Sequence, residues 1–189
     1  MDTQAHEATV PLPTKSIAAI RTIGDKTLTP TFASRPDIRI VGLAQPFRRG
    51  GALDGPAVWR RFRPFIERIP NRVGSHTLGL NEVVDMVAGE LVYAPAVEVS
   101  EFNELPNGPA GSDKLFGKTL EGGRFAVFAV PLSGGDIGAE FRSGYDFIYG
   151  QWAQRDDVRL RAYYDFEYYD ARFDPETLSG EASIWVPMT

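Results

Sequence analysis

The chain runs twice through one order of elements, and that repeat constrains its fold more than any single motif. In the first pass Ile38-Arg39-Ile40-Val41-Gly42-Leu43 alternates and is β-branched, which predicts a strand. Gly50, Gly51 and Gly55 predict a loop. Val58, Trp59, Phe62, Phe65, Ile66 and Ile69 then recur at helical spacing as one apolar stripe. Pro64 within the stripe predicts a kink or break, since proline offers no N–H and crowds the carbonyl four residues back. Thr77 to Val84 and Glu90 to Val99, joined by a turn at Asp85–Gly89, predict a hairpin. The second pass repeats this: a strand over Arg124–Val130, a turn at Gly134-Gly135, and a helix stripe of Ile137, Phe141, Tyr145, Ile148 and Trp152. It ends with strands at Leu160–Tyr169 and Ala182–Pro187, separated by a loop over Asp170–Gly180.

An offset of about 85 residues is too long for a solenoid repeat. Two units of this size cannot each cover both faces of a three-stranded sheet, so pairing them would bury a shared core. The predicted fold is α+β: duplicated β-α-β-β units with pseudo-twofold symmetry, antiparallel sheets with helices on one side, and a central ligand cleft. The domain is expected over residues 37–189, with halves at about 38–99 and 123–188 joined by a loop from Asn103 to Gly123. Residues 1–36, interrupted by Pro11, Pro13, Pro30 and Pro36, read as a partly ordered extension, with Ile17–Ile23 a short helix or strand.

Several chemistries are excluded early. A chain of 189 residues with 43% hydrophobic residues has the material for a packed core. The net charge of −5 opposes nucleic-acid binding, which needs a basic face. Arg60, Arg61 and Arg63, after Arg48 and Arg49, read as a solvated helix face. There is no cysteine, hence no disulfide, thiolate nucleophile or zinc–thiolate site. The two histidines, His6 and His76, have no partner at a metal-ligand spacing, so no metal and no cofactor are expected. No Gly-x-Ser-x-Gly elbow occurs. Ser133-Gly134-Gly135-Asp136-Ile137-Gly138 lacks the first glycine of a phosphate-binding turn and reads as a helix entry. The polar N-terminus has no apolar stretch of the signal-peptide kind, and no run reaches the ~18 apolar residues of a membrane span. A cytoplasmic protein with no membrane partner is the expectation, and oligomeric state is left open.

One segment carries positive information. Tyr163 to Asp170 reads Tyr-Tyr-Asp-Phe-Glu-Tyr-Tyr-Asp. On a strand, Asp165, Glu167 and Tyr169 share one face, and Tyr164, Phe166 and Tyr168 share the other. A carboxylate among aromatic rings is expensive to bury unless its charge is used or its pKa rises. It suits a pocket for an organic cation. The same residues also suit an exposed edge strand with solvated acids, and both readings stand at this level. Trp59, Tyr93, Tyr145, Trp152 and Trp185 raise the same question of core or pocket wall, and a Trp on a helix stripe is more often core.

Seven short stretches resemble, in order, the GyrI-like small-molecule-binding domains found as effector domains of AraC- and MerR-type regulators and as stand-alone proteins. They are Ile40–Leu43, Trp59–Pro64, Tyr93–Val99, Gly123–Phe128, Tyr149–Trp152, Asp165–Tyr169 and Ile184–Pro187. The resemblance implies a duplicated β-α-β-β fold that binds lipophilic, often multidrug-type cations, with Glu167 at the base of an aromatic pocket. Trp59, Tyr93, Tyr145, Tyr169 and Trp185 are then expected walls, and Glu98 a second acid. The expected function is binding of a hydrophobic, cationic or polarised small molecule. Two alternatives come with it. Stand-alone members that hydrolyse cyclopropane-bearing genotoxins imply a hydrolase using Glu167 as base, and the family name with the acidic charge implies an inhibitor of a DNA-binding enzyme. Departures from the family pattern are Pro95-Ala96 before Val97-Glu98-Val99 and the Pro131–Gly135 turn. The first 36 residues are too few for a helix-turn-helix, so transcription regulation is not carried over.

Overall fold

The structure, a computed structural model, describes residues 28–106, 113–161 and 163–189. The expected element at Ile17–Ile23 lies outside them. The first unit is β2 (Ile38–Leu43), α1 (Gly55–Ile66), β4 (Thr77–Asp85) and β5 (Glu90–Val99); the second is β7 (Gly123–Ser133), α2 (Ile137–Gly150), β8 (Tyr164–Tyr169) and β10 (Ser179–Pro187). Short strands accompany them: β1 (Thr31–Arg35), β3 (Gln45–Arg48), β6 (Leu115–Leu120) and β9 (Phe173–Asp174). The sheet order is β1-β7-β10-β8-β4-β5-β2-β6, with β3 also on β5 and β9 on β10. Each unit therefore places its last strand between its other two, and β4 meets β8 antiparallel at the centre.

At the edges of the sheet stand two strands that the sequence pattern does not predict. Thr31–Arg35, expected in the extension, forms β1 and pairs with β7. Leu115–Leu120, expected in the joint loop, forms β6 along β2. Both partners are distant in sequence, so local composition does not reveal the pairing.

These short strands also close the sheet. Pro36 and Asp37 alone join β1 to β2, and Glu121 and Gly122 alone join β6 to β7, although each pair stands toward opposite ends of the strand order. Three Cα steps span at most about 11 Å, so the sheet must roll until its ends meet. Asp37 holds the seam by accepting from the Gly122 N–H at 2.8 Å, and the Tyr164 hydroxyl donates to the Glu121 carbonyl at 2.8 Å. Inside the roll lies the shared core of Ile38, Ile40, Leu78, Leu80, Leu120, Phe125 and Phe166.

Both helices cover the outer face. Asp54 caps α1 by accepting from the Ala57 N–H at 2.9 Å, and Asp136 caps α2 through Ala139 at 3.0 Å. α1 runs through Pro64 and ends at Ile66, short of the end of the apolar stripe, and Ile69 is buried in the turn beyond. α1 packs Val58, Phe62 and Phe65 over Val41 and Val97, and α2 packs Phe141 and Ile148 over Phe128, Ile184 and Val186. Gly144 lets α2 approach closely, since a Cβ there would sit 3.1 Å from Ile184 Cδ1. Trp59 touches both outer clusters and so spans the gap between the helices. No helix among the described residues is long and apolar enough to cross a membrane.

Candidate ligand-binding site

β4 and β8 run beneath the gap between the helices, and β8 alternates as its sequence predicts. Phe166 enters the inner core with Tyr164 and Tyr168 beside it. Asp165, Glu167 and Tyr169 face outward, toward the helices, and are 7%, 6% and 7% exposed.

The Glu167 carboxylate is held by phenols. Tyr93 on β5 donates to its Oε2 at 2.9 Å, and Tyr169 donates to the same oxygen at 2.7 Å. Trp59 on α1 donates its indole N–H to the Tyr93 hydroxyl at 2.8 Å, and its ring stands edge-on to Tyr169 at 5.5 Å. Phe141 on α2 also meets the Tyr169 ring edge-on, at 5.7 Å. The carboxylate needs room across the sheet, and Gly79 supplies it. Gly79 lies directly opposite Glu167 on β4, and a Cβ there would fall 2.4 Å from Oε2 and 2.8 Å from the Tyr93 hydroxyl.

A second acid stands beside the first. Asp165 accepts from Tyr149 at 2.5 Å and from the Asn81 amide at 3.1 Å, and Asn81 also donates to the Tyr145 hydroxyl at 2.7 Å. The Tyr145 and Tyr149 rings stack at 6.3 Å. Burial pushes the Glu167 carboxyl up to about 7 against the pull of its tyrosines, with the Asp165 charge adding to the rise. Burial likewise pushes Asp165 up to about 6 against its bonds from Tyr149, Asn81 and Tyr145. Desolvation and the nearby carboxylates push the hydroxyls of Tyr93, Tyr145 and Tyr169 well above their ordinary value, so at neutral pH they are protonated donors. Among the described residues, no Lys, Arg or His forms an ion pair with Glu167 or Asp165; the ion pairs there fall on other acids. The arrangement is a pair of buried, titratable carboxylates walled by aromatic rings, closed over by Trp59 and Phe141. Surface depressions of about 220 and 370 Å³ lie elsewhere, along the β3 edge.

Five of the residues singled out from sequence thus converge: Trp59, Tyr93, Tyr145, Glu167 and Tyr169. Two do not. Trp185 pairs with Phe166, faces the inside of the roll and stacks on that ring at 5.8 Å. Glu98 faces the same inner side, where it accepts from Arg35 at 2.8 Å and meets His76 at 2.9 Å. Alternation along β5 and β10 sets both apart from the site, since Tyr93 and Ile184 occupy the outward positions. Asp165, Asn81, Tyr149 and Gly79 were not singled out as site residues. Asp165 was readable as sharing the Glu167 face, and Tyr149 follows Tyr145 at helical spacing.

The sequence profile of the Cass2 family, the integron-associated effector binding proteins, matches residues 34–188. The chain belongs to this effector-binding family. The GyrI-like fold is shared with solved structures. The integron cassette protein VCH_CASS2, from the mobile metagenome of Vibrio cholerae, has a TM-score of 0.59 at 11% identity, covering 87% of this chain and 100% of its own. SAV2435, solved with tetraphenylphosphonium bound, has a TM-score of 0.60 at 17% identity, covering 85% and 94%. The EcmrR C-terminal domain has a TM-score of 0.54 at 11% identity, covering 87% and 99%. At such identities the likeness is one of fold. No curated protein sequence matches the chain.

Proposed function

We propose that this effector-binding domain reversibly binds a hydrophobic cation, with the Glu167 carboxylate facing the positive charge and Trp59, Tyr93, Tyr145 and Tyr169 forming the walls. The observation that carries this reading is a buried carboxylate with tyrosine donors and, among the described residues, no cationic partner. Such a group is costly while ionised and alone, and an incoming cation removes that cost. Aromatic faces add cation–π attraction. SAV2435, of the same fold, is solved with tetraphenylphosphonium, a lipophilic cation of this class. Because Trp59 and Phe141 close over Tyr169, a bulky ligand must move the Trp59 ring aside, and its fluorescence then reports entry.

The test is a tryptophan-fluorescence titration at pH 8 with tetraphenylphosphonium and with neutral triphenylphosphine oxide, on wild type and Glu167→Gln. The substitution should weaken the cation at least tenfold, about 1.4 kcal/mol, and the neutral analogue far less. Equal affinities in the two proteins overturn the assignment. Loss of product from a cyclopropane substrate in the variant, with ligand binding retained, replaces simple binding by the hydrolytic use of Glu167.

A further inference from the structure

Glu167 has a buried companion that a single cation would leave unmatched. Asp165 stands two residues earlier on the same face of β8, so the two side chains are spaced about 7 Å along the strand. Tyr145 and Tyr149 from α2 line the Asp165 end, and Asn81 from β4 completes it. The two ends differ in access. Glu167 lies beneath Trp59 and the Phe141–Tyr169 contact, whereas Tyr149, whose hydroxyl closes on Asp165, is 37% exposed. Asp165 can therefore meet a group arriving from solvent once that phenol rotates away. Each end repeats one pattern: a carboxylate more than nine-tenths buried, phenol donors, a ring face, and no cationic partner among the described residues.

Resting on the reading that a cation binds at Glu167, we propose that the ligand of this domain is an aromatic dication with its charges about 7 Å apart, one facing Glu167 and the other Asp165. A flat aromatic body between the charges would lie over β8 against the Tyr145 ring, whose hydroxyl bonds toward the Asp165 end through Asn81. A monocation neutralises one carboxylate and leaves the other buried without a counter-charge. A dication neutralises both.

The experiment compares 1,4-bis(trimethylammoniomethyl)benzene with benzyltrimethylammonium by calorimetric titration of the intact chain at pH 8. The dication should bind at least tenfold more tightly after correction for its two equivalent ends. In Asp165→Asn the ratio of the two affinities should fall to near one, while in Glu167→Gln both cations weaken. A readout needing no variant guards against misfolding. Between pH 6 and 5, where Glu167 is already protonated in the empty site and Asp165 becomes so, dication affinity should fall more steeply than monocation affinity, because two protons rather than one must be displaced. Equal affinities and equal pH slopes in wild type, with both cations weakened by Glu167→Gln, leave the Glu167 reading standing and overturn this one. If neither cation binds, both readings are overturned.

Discussion

Exchanging Glu167 for Gln keeps the size of the side chain and removes its charge, which isolates what burial of that charge costs. In the folded chain the carboxyl is pushed up to about 7 from 4.5. A raised pKa means that the folded state holds the proton more tightly than the unfolded state does. The stabilisation is complete below the unfolded value of 4.5 and is lost as pH rises through about 7. At 1.36 kcal/mol per unit the loss is about 3 kcal/mol, a large share of a typical domain stability. Urea unfolding at pH 5 and pH 8 on both proteins measures it. The wild type should lose about 2 to 3 kcal/mol more than Glu167→Gln over that interval, so the variant gains relative stability at alkaline pH. Parallel stabilities at the two pH values would refute the argument, because they would mean that the carboxyl titrates as an ordinary solvated one. Asp165, pushed up to about 6, should leave a residual slope in the variant that Asp165→Asn removes.

Gly79→Ala should destabilise the fold by about 1 to 3 kcal/mol as an overpacking change, since its Cβ meets Glu167 Oε2 at 2.4 Å, and unfolding of the variant measures it. Phe62→Ala should cost about 3 to 5 kcal/mol, because the fully buried ring anchors α1 and its loss leaves a cavity. Asp136→Ala should cost about 1 kcal/mol through loss of the α2 cap to the Ala139 N–H, read as a lowered unfolding midpoint.

Strand alternation made much of this fold legible. Ile38–Leu43 and the Thr77–Val99 hairpin stand where their apolar patterns place them, and the period of two on β8 separates the Glu167 face from the Phe166 face. The site was less legible wherever it depends on pairing between distant strands. Trp185 looked like a wall until the register Ile184↔Glu167 turned it inward, and Glu98 was drawn inward by the same alternation on β5. Leu115–Leu120 contains Gly117 and Lys118 and has little strand character of its own; its pairing with β2 makes it a strand. Asp165 shared a visible face with Glu167, yet its partners come from α2 and from Asn81 on β4, which only the packed structure brings together.

A cationic ligand matched by charge recruited on Glu167 must displace the proton that this carboxyl holds in the empty site. At pH 6 a carboxyl with a pKa of about 7 is about nine-tenths protonated. Calorimetric titration with tetraphenylphosphonium at that pH, in buffers of different ionisation enthalpy, counts the protons displaced per ligand bound. Release approaching one proton is expected in wild type and little in Glu167→Gln. Binding of the cation with no proton released by either protein would contradict it.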